Sequence, residues 1–211
     1  MKALSGRNID NNIKLLEELS SFKRQIGINM LKNLFLKEGI ILVLQGISFY
    51  RCWELPQLFL LVDFKKEHRV LDVGSGKSIL PLYLALKGCE VYAIDIDEKI
   101  KIQRDFAKCM GRSDLTEDTL FVSVQDATKT EFEDNFFDVI TSISATEHFP
   151  ENGDIEFVVE ANRILRKGGR LFLSFGIDRE YREETWGKWF CRKYNKAALY
   201  KRIIKPSKME I

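Results

Sequence analysis

The stretch "RVLDVGSGKSILPLYLALKGCEVYAIDID", residues 69–97, decides the fold. It opens on a short apolar run, turns through glycines, continues as a helical segment and closes on a second apolar run that ends in acids. That order is strand, tight turn, helix, strand. The turn, Gly74-Ser75-Gly76-Lys77-Ser78, resembles the end of a P-loop. A P-loop needs G-x-x-x-x-G-K-[ST]. Counting back from Gly76, Leu71 stands in the first glycine's place, inside the strand. The turn is too short to wrap phosphates. A dinucleotide site needs G-x-G-x-x-G, and Ile79 fills the third glycine's position, where close helix–strand packing around a pyrophosphate is required.

The pattern of residues 69–97 repeats along the chain. Apolar runs "RVLDV", "EVYAID", "LFVSVQ", "FDVITSI" and "RLFLSFG" alternate with helical segments "SILPLYLALKG", "DEKIKIQRDFAKCMG" and "DIEFVVEANRILRKGG". Alternation of this kind predicts an α/β fold, an open, mostly parallel, doubly wound sheet with helices on both faces. The strands are nearly continuous in apolar residues, as strands buried on both faces must be. Upstream, Ile13, Leu16, Leu19, Phe22 and Ile26 recur three or four apart and predict a helix over residues 10–37. Gly27 and Gly39 read as breaks, and a second helical stretch runs from about Pro56 to Val62. Residues 1–62 are thus an N-terminal helical extension and lid of the same domain, and residues 63–211 the ligand-binding part.

The charged ends of the strands describe a ligand. Asp95 closes the second strand and suits a pair of ribose hydroxyls. Asp72, at the end of the first, is no host for phosphate but helps orient an ammonium group through the turn. Gly74 and Gly76 let the backbone come close to that ligand. An adenosine end and a positively charged amino-acid end together make S-adenosylmethionine. Five motifs in family-like order carry the same message, and on them the chain resembles the class I, Rossmann-like, S-adenosylmethionine-dependent methyltransferases. "VLDVGSGKS" is similar to the family's D-x-G-x-G-x-G, with Ser78 at the last glycine. "VYAIDID" resembles the second motif and "VQDAT" the third. "FDVITSISATEHFP" resembles the segment bordering the methyl group, and "ILRKGGRLFLSF" the turn and strand that follow.

The resemblance implies that Asp72, Gly74, Ser75 and Gly76 face the cofactor's amino-acid end and that Asp95 holds its ribose. It implies Ile96 on the purine face, Asp126 at the adenine amino group, Ala127 offering a backbone N–H, and Ser142 at the edge of the fourth strand. In "SFYRCWELP", residues 48–56, Tyr50 could close on the sulfonium and Arg51 pair with the carboxylate; packing of the helices is the other reading. Glu147 and His148 follow the fourth strand. His148 suits a general base, and ordering of the loop is the alternative.

The implied activity is methyl transfer to a small molecule. RNA is the alternative acceptor, because residues 179–208 carry ten Lys or Arg against three Glu, interleaved with aromatics. A cofactor-binding module without catalysis is a further rival, and an NAD-dependent oxidoreductase another. The chain has 211 residues and a net charge of +2, so global charge names no partner. No metal-ligand spacing appears. The four cysteines are scattered, which fits reduced thiols in a cytoplasm. No apolar run reaches the length of a membrane span. After the fifth strand too few residues remain for the family's usual final hairpin. Its edge is then expected to be covered by the tail or by a second copy in a homodimer, unless the chain is a truncated form.

Overall fold

The computed structural model describes residues 6–33, 35–44 and 47–210. Contacts divide the chain into two units. A helical unit runs to Phe64 and takes in Arg104–Ser113, and an α/β unit comprises Lys65–Gln103 and Asp114–Ile211.

The helical unit holds α1 (Gly6–Lys32), α2 (Leu36–Leu44) and α3 (Phe49–Leu61). Leu19, Ile26 and Met30 of α1 are fully buried, as the apolar spacing predicts, whereas Ile13 is half exposed. The two glycines read as breaks lie inside helices instead. A Cβ on Gly27 would sit 2.8 Å from Val43 Cγ2 and 3.0 Å from the Gly39 carbonyl oxygen. One on Gly39 would sit 2.9 Å from the Gly27 carbonyl oxygen. The glycines therefore let the backbones of α1 and α2 touch, and local propensity yields to that packing. Pro56 likewise sits inside α3 and does not open a helix. Leu55 and Leu58, buried on either side of it, hold the helix through the lost hydrogen bond.

In the α/β unit the strands are β1 (Arg69–Val73), β2 (Glu90–Asp95), β3 (Leu120–Val124), β4 (Phe137–Ile143) and β5 (Leu165–Ser174). They pair in the order β3-β2-β1-β4-β5, every pair parallel. Helices α4 (Leu80–Leu86), α5 (Ile102–Cys109), α6 (Leu115–Asp118) and α7 (Gly153–Ile164) occupy the connections. Every residue of β4 is buried, which is why its sequence is unbroken by exposed polar positions. The order reverses between β1 and β4, and ligands of such sheets bind at that point, beyond the strands' carboxyl ends. α7 stops at Ile164, short of the predicted Gly169. Leu165 turns extended, and the β4–β5 register jumps from Phe137/Leu165 to Val139/Arg170. Asp138, inside that jump, accepts from the Arg69 backbone N–H at 2.7 Å and pairs with Arg166.

Beyond β5 a hairpin appears where the sequence predicts a loop. β6 (Arg182–Trp186) and β7 (Trp189–Lys193) form a separate antiparallel pair. As expected, no strand among the described residues extends the sheet past β5. The tail packs beside it instead. The Tyr194 N–H donates to the Gly176 carbonyl at 3.1 Å, and Tyr194 and Ile203 join the core around Phe157 and Ala161. The predicted helix over Asn195–Ile204 is α8 (Lys196–Leu199), a π-helical turn at Tyr200–Ile204 and α9 (Lys205–Ser207). Among the described residues no helix is long and apolar enough to cross a membrane.

A buried ionic cluster ties this tail down. The side chains of Arg192 and Asp154 are both fully buried and lie 3.3 Å apart. Arg192 also donates to the carbonyls of Phe149 (2.9 Å) and Glu151 (2.8 Å). Arg202 donates to both Asp154 oxygens, at 2.7 and 2.9 Å, and the Tyr194 hydroxyl donates to Asp154 Oδ2 at 2.8 Å. Burial, with the Asp154 charge beside it, pushes the Tyr194 hydroxyl's pKa up. Such a cluster is tolerated only because every charge finds partners. Arg192→Leu should therefore lower the unfolding free energy by about 3–5 kcal/mol in urea, whereas Lys201→Ala, on the exposed side of the same tail, should change it by less than about 0.5 kcal/mol. Equal, small effects would mean the cluster contributes nothing.

Candidate functional site

The site begins with the Asp72 carboxylate at the end of β1. It is 3% exposed, and both its oxygens are held by hydroxyls. Thr141 Oγ1 of β4 donates to Oδ1 and Ser75 Oγ of the glycine turn donates to Oδ2, each at 2.7 Å. Gln103, fully buried on α5, donates from Nε2 to Ser75 Oγ at 2.8 Å and to the Gly76 carbonyl at 3.0 Å. Asp72 thus braces the glycine turn from beneath. Thr141 and Gln103 were not anticipated. Gln103 leaves a legible trace, a polar residue three after Ile100 and three before Phe106 on the buried stripe of its helix.

Gly74 has φ 67°, and a Cβ on it would stand 2.3 Å from the Ala145 Cβ. Any side chain there would force the turn away from the loop after β4. The open space this leaves is a cleft of about 360 Å³, within the size range of small-molecule sites. Gly74, Asp95, Ile96, Asp126, Ala127 and His148 all line it, so the structure brings together most of the residues the motifs single out. Ser75 and Gly76 lie in the supporting turn.

Asp95 is oriented by backbone. The Gly76 N–H donates to its Oδ2 at 2.9 Å and the Asp97 N–H to its Oδ1 at 2.8 Å. Each oxygen keeps acceptor capacity for a hydroxyl. Ile96 is 76% exposed at the rim, available to the face of a ring. Asp126 accepts at Oδ1 from the Thr128 N–H (2.9 Å) and hydroxyl (2.8 Å), which fixes its loop. A half-exposed strand-end acid, an apolar rim and a turn with no room for a Cβ fit the adenosyl part of S-adenosylmethionine.

Ser142 departs from expectation. It is fully buried, shares a hydrogen bond of 2.8 Å with Thr146 Oγ1 and does not line the cleft. Strand alternation turns its side chain into the interior, because β4 is covered on both faces. Tyr50 and Arg51 belong to the helical unit. Tyr50 is 74% exposed, and Arg51 Nη1 donates to Glu54 Oε2 at 2.7 Å along α3.

Glu147 is buried within the 3-10 turn Thr146–His148 that follows β4. His148 in the same turn is exposed to the cleft, with Nδ1 2.7 Å from the Phe190 carbonyl oxygen. The sequence does not reveal that Phe149–Gly153 and Glu156 continue the lining. Arg192 holds two carbonyls of that segment from more than forty residues away.

A family profile described as "Methyltransferase domain" matches residues 71–173. Among curated proteins, Methyltransferase GfsG of Streptomyces halstedii is 32% identical over 119 residues, 56% of this chain and 41% of that protein. A ubiquinone biosynthesis O-methyltransferase of Xanthomonas oryzae pv. oryzae is 35% identical over 107 residues, 50% of this chain and 42% of that protein. The matched region therefore spans less than half the length of these relatives. Among solved structures, an S-adenosylmethionine-dependent methyltransferase from Methanosarcina mazei superposes with a TM-score of 0.60 at 20% identity, covering 72% of this chain and 83% of that one. That likeness concerns the fold.

Two binding outcomes follow from this geometry. In calorimetry S-adenosylhomocysteine should bind and NADH should not, because the short turn and Ile79 leave no pyrophosphate cradle. Comparable affinities would end the assignment. Asp95→Ala should weaken S-adenosylhomocysteine by about 1.5–3 kcal/mol without unfolding the chain, and unchanged affinity would place the ribose elsewhere.

Proposed function

The α/β unit of this chain belongs to the class I, Rossmann-like, S-adenosylmethionine-dependent methyltransferases, and we propose that the protein moves the cofactor's methyl group onto a hydroxyl of a small molecule. The observation that carries the reading is the convergence of Asp95, Ile96, Asp126 and Ala127 on one cleft that His148 also lines. The oxygen as acceptor atom is supported by the Xanthomonas relative, an O-methyltransferase of ubiquinone biosynthesis.

The chain's residues divide the work. Asp95 accepts from the ribose hydroxyls, Ile96 covers the purine and Asp126 receives the adenine amino group beside the Ala127 N–H. The turn Gly74–Gly76, braced by Asp72 through Ser75, carries the amino-acid end. When bound, S-adenosylmethionine supplies a methyl group on a positively charged sulfur that keeps the bonding pair on leaving. With that driving force present, the protein's task is alignment. Its one chemical duty is to take the hydroxyl proton, a role we give to His148, which lines the cleft. Glu147, in the same turn, is buried.

The RNA alternative loses support at the tail. Arg192 is fully buried and Arg202 is bound to Asp154, so the basic count of residues 179–208 overstates the charge offered to a phosphate backbone. The experiment is transfer of a radiolabelled methyl group from S-adenosylmethionine to a panel of phenols and catechols, with an unstructured RNA alongside. A methylated phenol is the expected product. Tight S-adenosylhomocysteine binding with no transfer to any acceptor would favour a module that only holds the cofactor. His148→Asn should cut transfer by about 10²–10⁴-fold at neutral pH and by much less near pH 10, where a phenol ionises unaided. A loss that is the same at both pH values would remove His148 from proton transfer.

A further inference from the structure

The β6–β7 hairpin meets the cleft through His148. Its Nδ1 lies 2.7 Å from the carbonyl oxygen of Phe190, a residue of β7. A carbonyl oxygen can only accept, so Nδ1 carries the proton. In the neutral ring the other nitrogen, Nε2, then holds the lone pair. Trp189, the neighbour of Phe190, stands edge-on to the imidazole with centroids 6.4 Å apart at 74°, which restricts the ring's rotation.

The anchor is itself anchored. Arg192, two residues further along β7, donates to the carbonyls of Phe149 and Glu151 at 2.9 and 2.8 Å. Its guanidinium lies 4.8 Å from the centroid of the Phe190 ring. One strand therefore grips three points of the cleft loop: the His148 side chain and the two carbonyls that follow it. Arg192 takes its own place from buried Asp154 at the start of α7. None of these contacts is needed to finish the parallel sheet, because β6 and β7 pair only with each other.

We propose that the C-terminal hairpin is a positioning element of the transfer site: the Phe190 carbonyl fixes His148 as the Nδ1–H tautomer and so presents Nε2 as a proton acceptor to the substrate hydroxyl. This rests on the transfer reading above and adds where the base gets its readiness. A free imidazole exchanges between two tautomers and several orientations. A ring held by Phe190 and Trp189 has already met that entropic cost before the acceptor arrives. In the step itself the hydroxyl proton passes to Nε2, and the oxygen's electron pair forms the bond to the methyl carbon. The pair of the broken bond stays on sulfur, and His148 returns its proton to water.

The first arm of the test needs no known acceptor. In the ¹⁵N-labelled full chain, long-range ¹H–¹⁵N spectra distinguish the two ring nitrogens, and His68→Gln assigns the signals, since His68 and His148 are the two histidines. Neutral His148 should show a protonated Nδ1 and an unprotonated Nε2. A protonated Nε2 would overturn the proposal outright. The hairpin is then loosened at its tip. Gly187 has φ 62° and a Cβ there would meet nothing within 4 Å, so Gly187→Val strains the turn alone. It should scramble the His148 tautomer signature and lower kcat for hydroxyl acceptors at least about tenfold, with S-adenosylhomocysteine affinity within about twofold. Lys188→Ala, at the turn's second position, should match the wild type. A Gly187→Val chain that keeps the tautomer and full transfer would also overturn the hairpin's role. If the wild type shows Nδ1–H but methylates no hydroxyl, the acceptor class is wrong and the hairpin's hold on His148 stands.

Discussion

Asp72 is a carboxylate with almost no water around it, and the site depends on how that charge is satisfied. Burying an ionised acid is costly unless each oxygen finds a strong donor. Thr141 supplies one from β4 and Ser75 the other from the glycine turn, each at 2.7 Å. Segments 69 residues apart in sequence are drawn to one point. Gln103 then donates to the same Ser75 and to the Gly76 carbonyl, which passes the constraint to α5. Gly76 in turn donates to Asp95 at 2.9 Å, so the acid proposed to read the ribose is aimed by the turn that Asp72 braces. Removing the hydroxyl of Ser75 would disturb the cleft without touching any group that lines it.

The sheet was readable because its signal is local. β1, β2 and β4 begin and end at the residues where their apolar runs do, since strands covered on both faces admit a polar side chain only where a partner meets it, as Thr141 meets Asp72. The glycine turn was readable for a related reason, since only a few spacings of glycine and acid suit a given ligand. Position by position, the motifs singled out Gly74, Asp95, Ile96, Asp126 and Ala127, which line one cleft. Ser142 is buried away from that cleft, because a motif tells which strand end a residue occupies and not which face its side chain takes.

What escaped the sequence is non-local. β6 reads "REETW" and has almost no buried face, so neither alternation nor an apolar run marks it as a strand. Gly27 and Gly39 look like helix breakers until their opposite backbone is known. The tail shows the same limit in electrostatics. Ten basic residues suggest a surface for an anion, yet two of the arginines face inward on Asp154, one of them with no exposure at all. A charge count assumes that side chains are solvated, and a buried carboxylate reverses that assumption.

The hold of Arg192 and Arg202 on the cleft loop also has a consequence in time. The loop at Phe149–Asp154 is synthesised well before the arginines that fix it, with separations of 43 residues to Phe149 and 48 to Asp154. At ribosomal speed, about 5–20 residues per second, the interval is roughly 2–10 s. The five-stranded sheet can assemble during it, because β5 ends before the hairpin begins. Asp154 has by then been made without its cations, and the carbonyls of Phe149 and Glu151 without their donor. A nascent chain would therefore acquire its framework before the contacts of Arg192 and Arg202 that fasten the cleft loop.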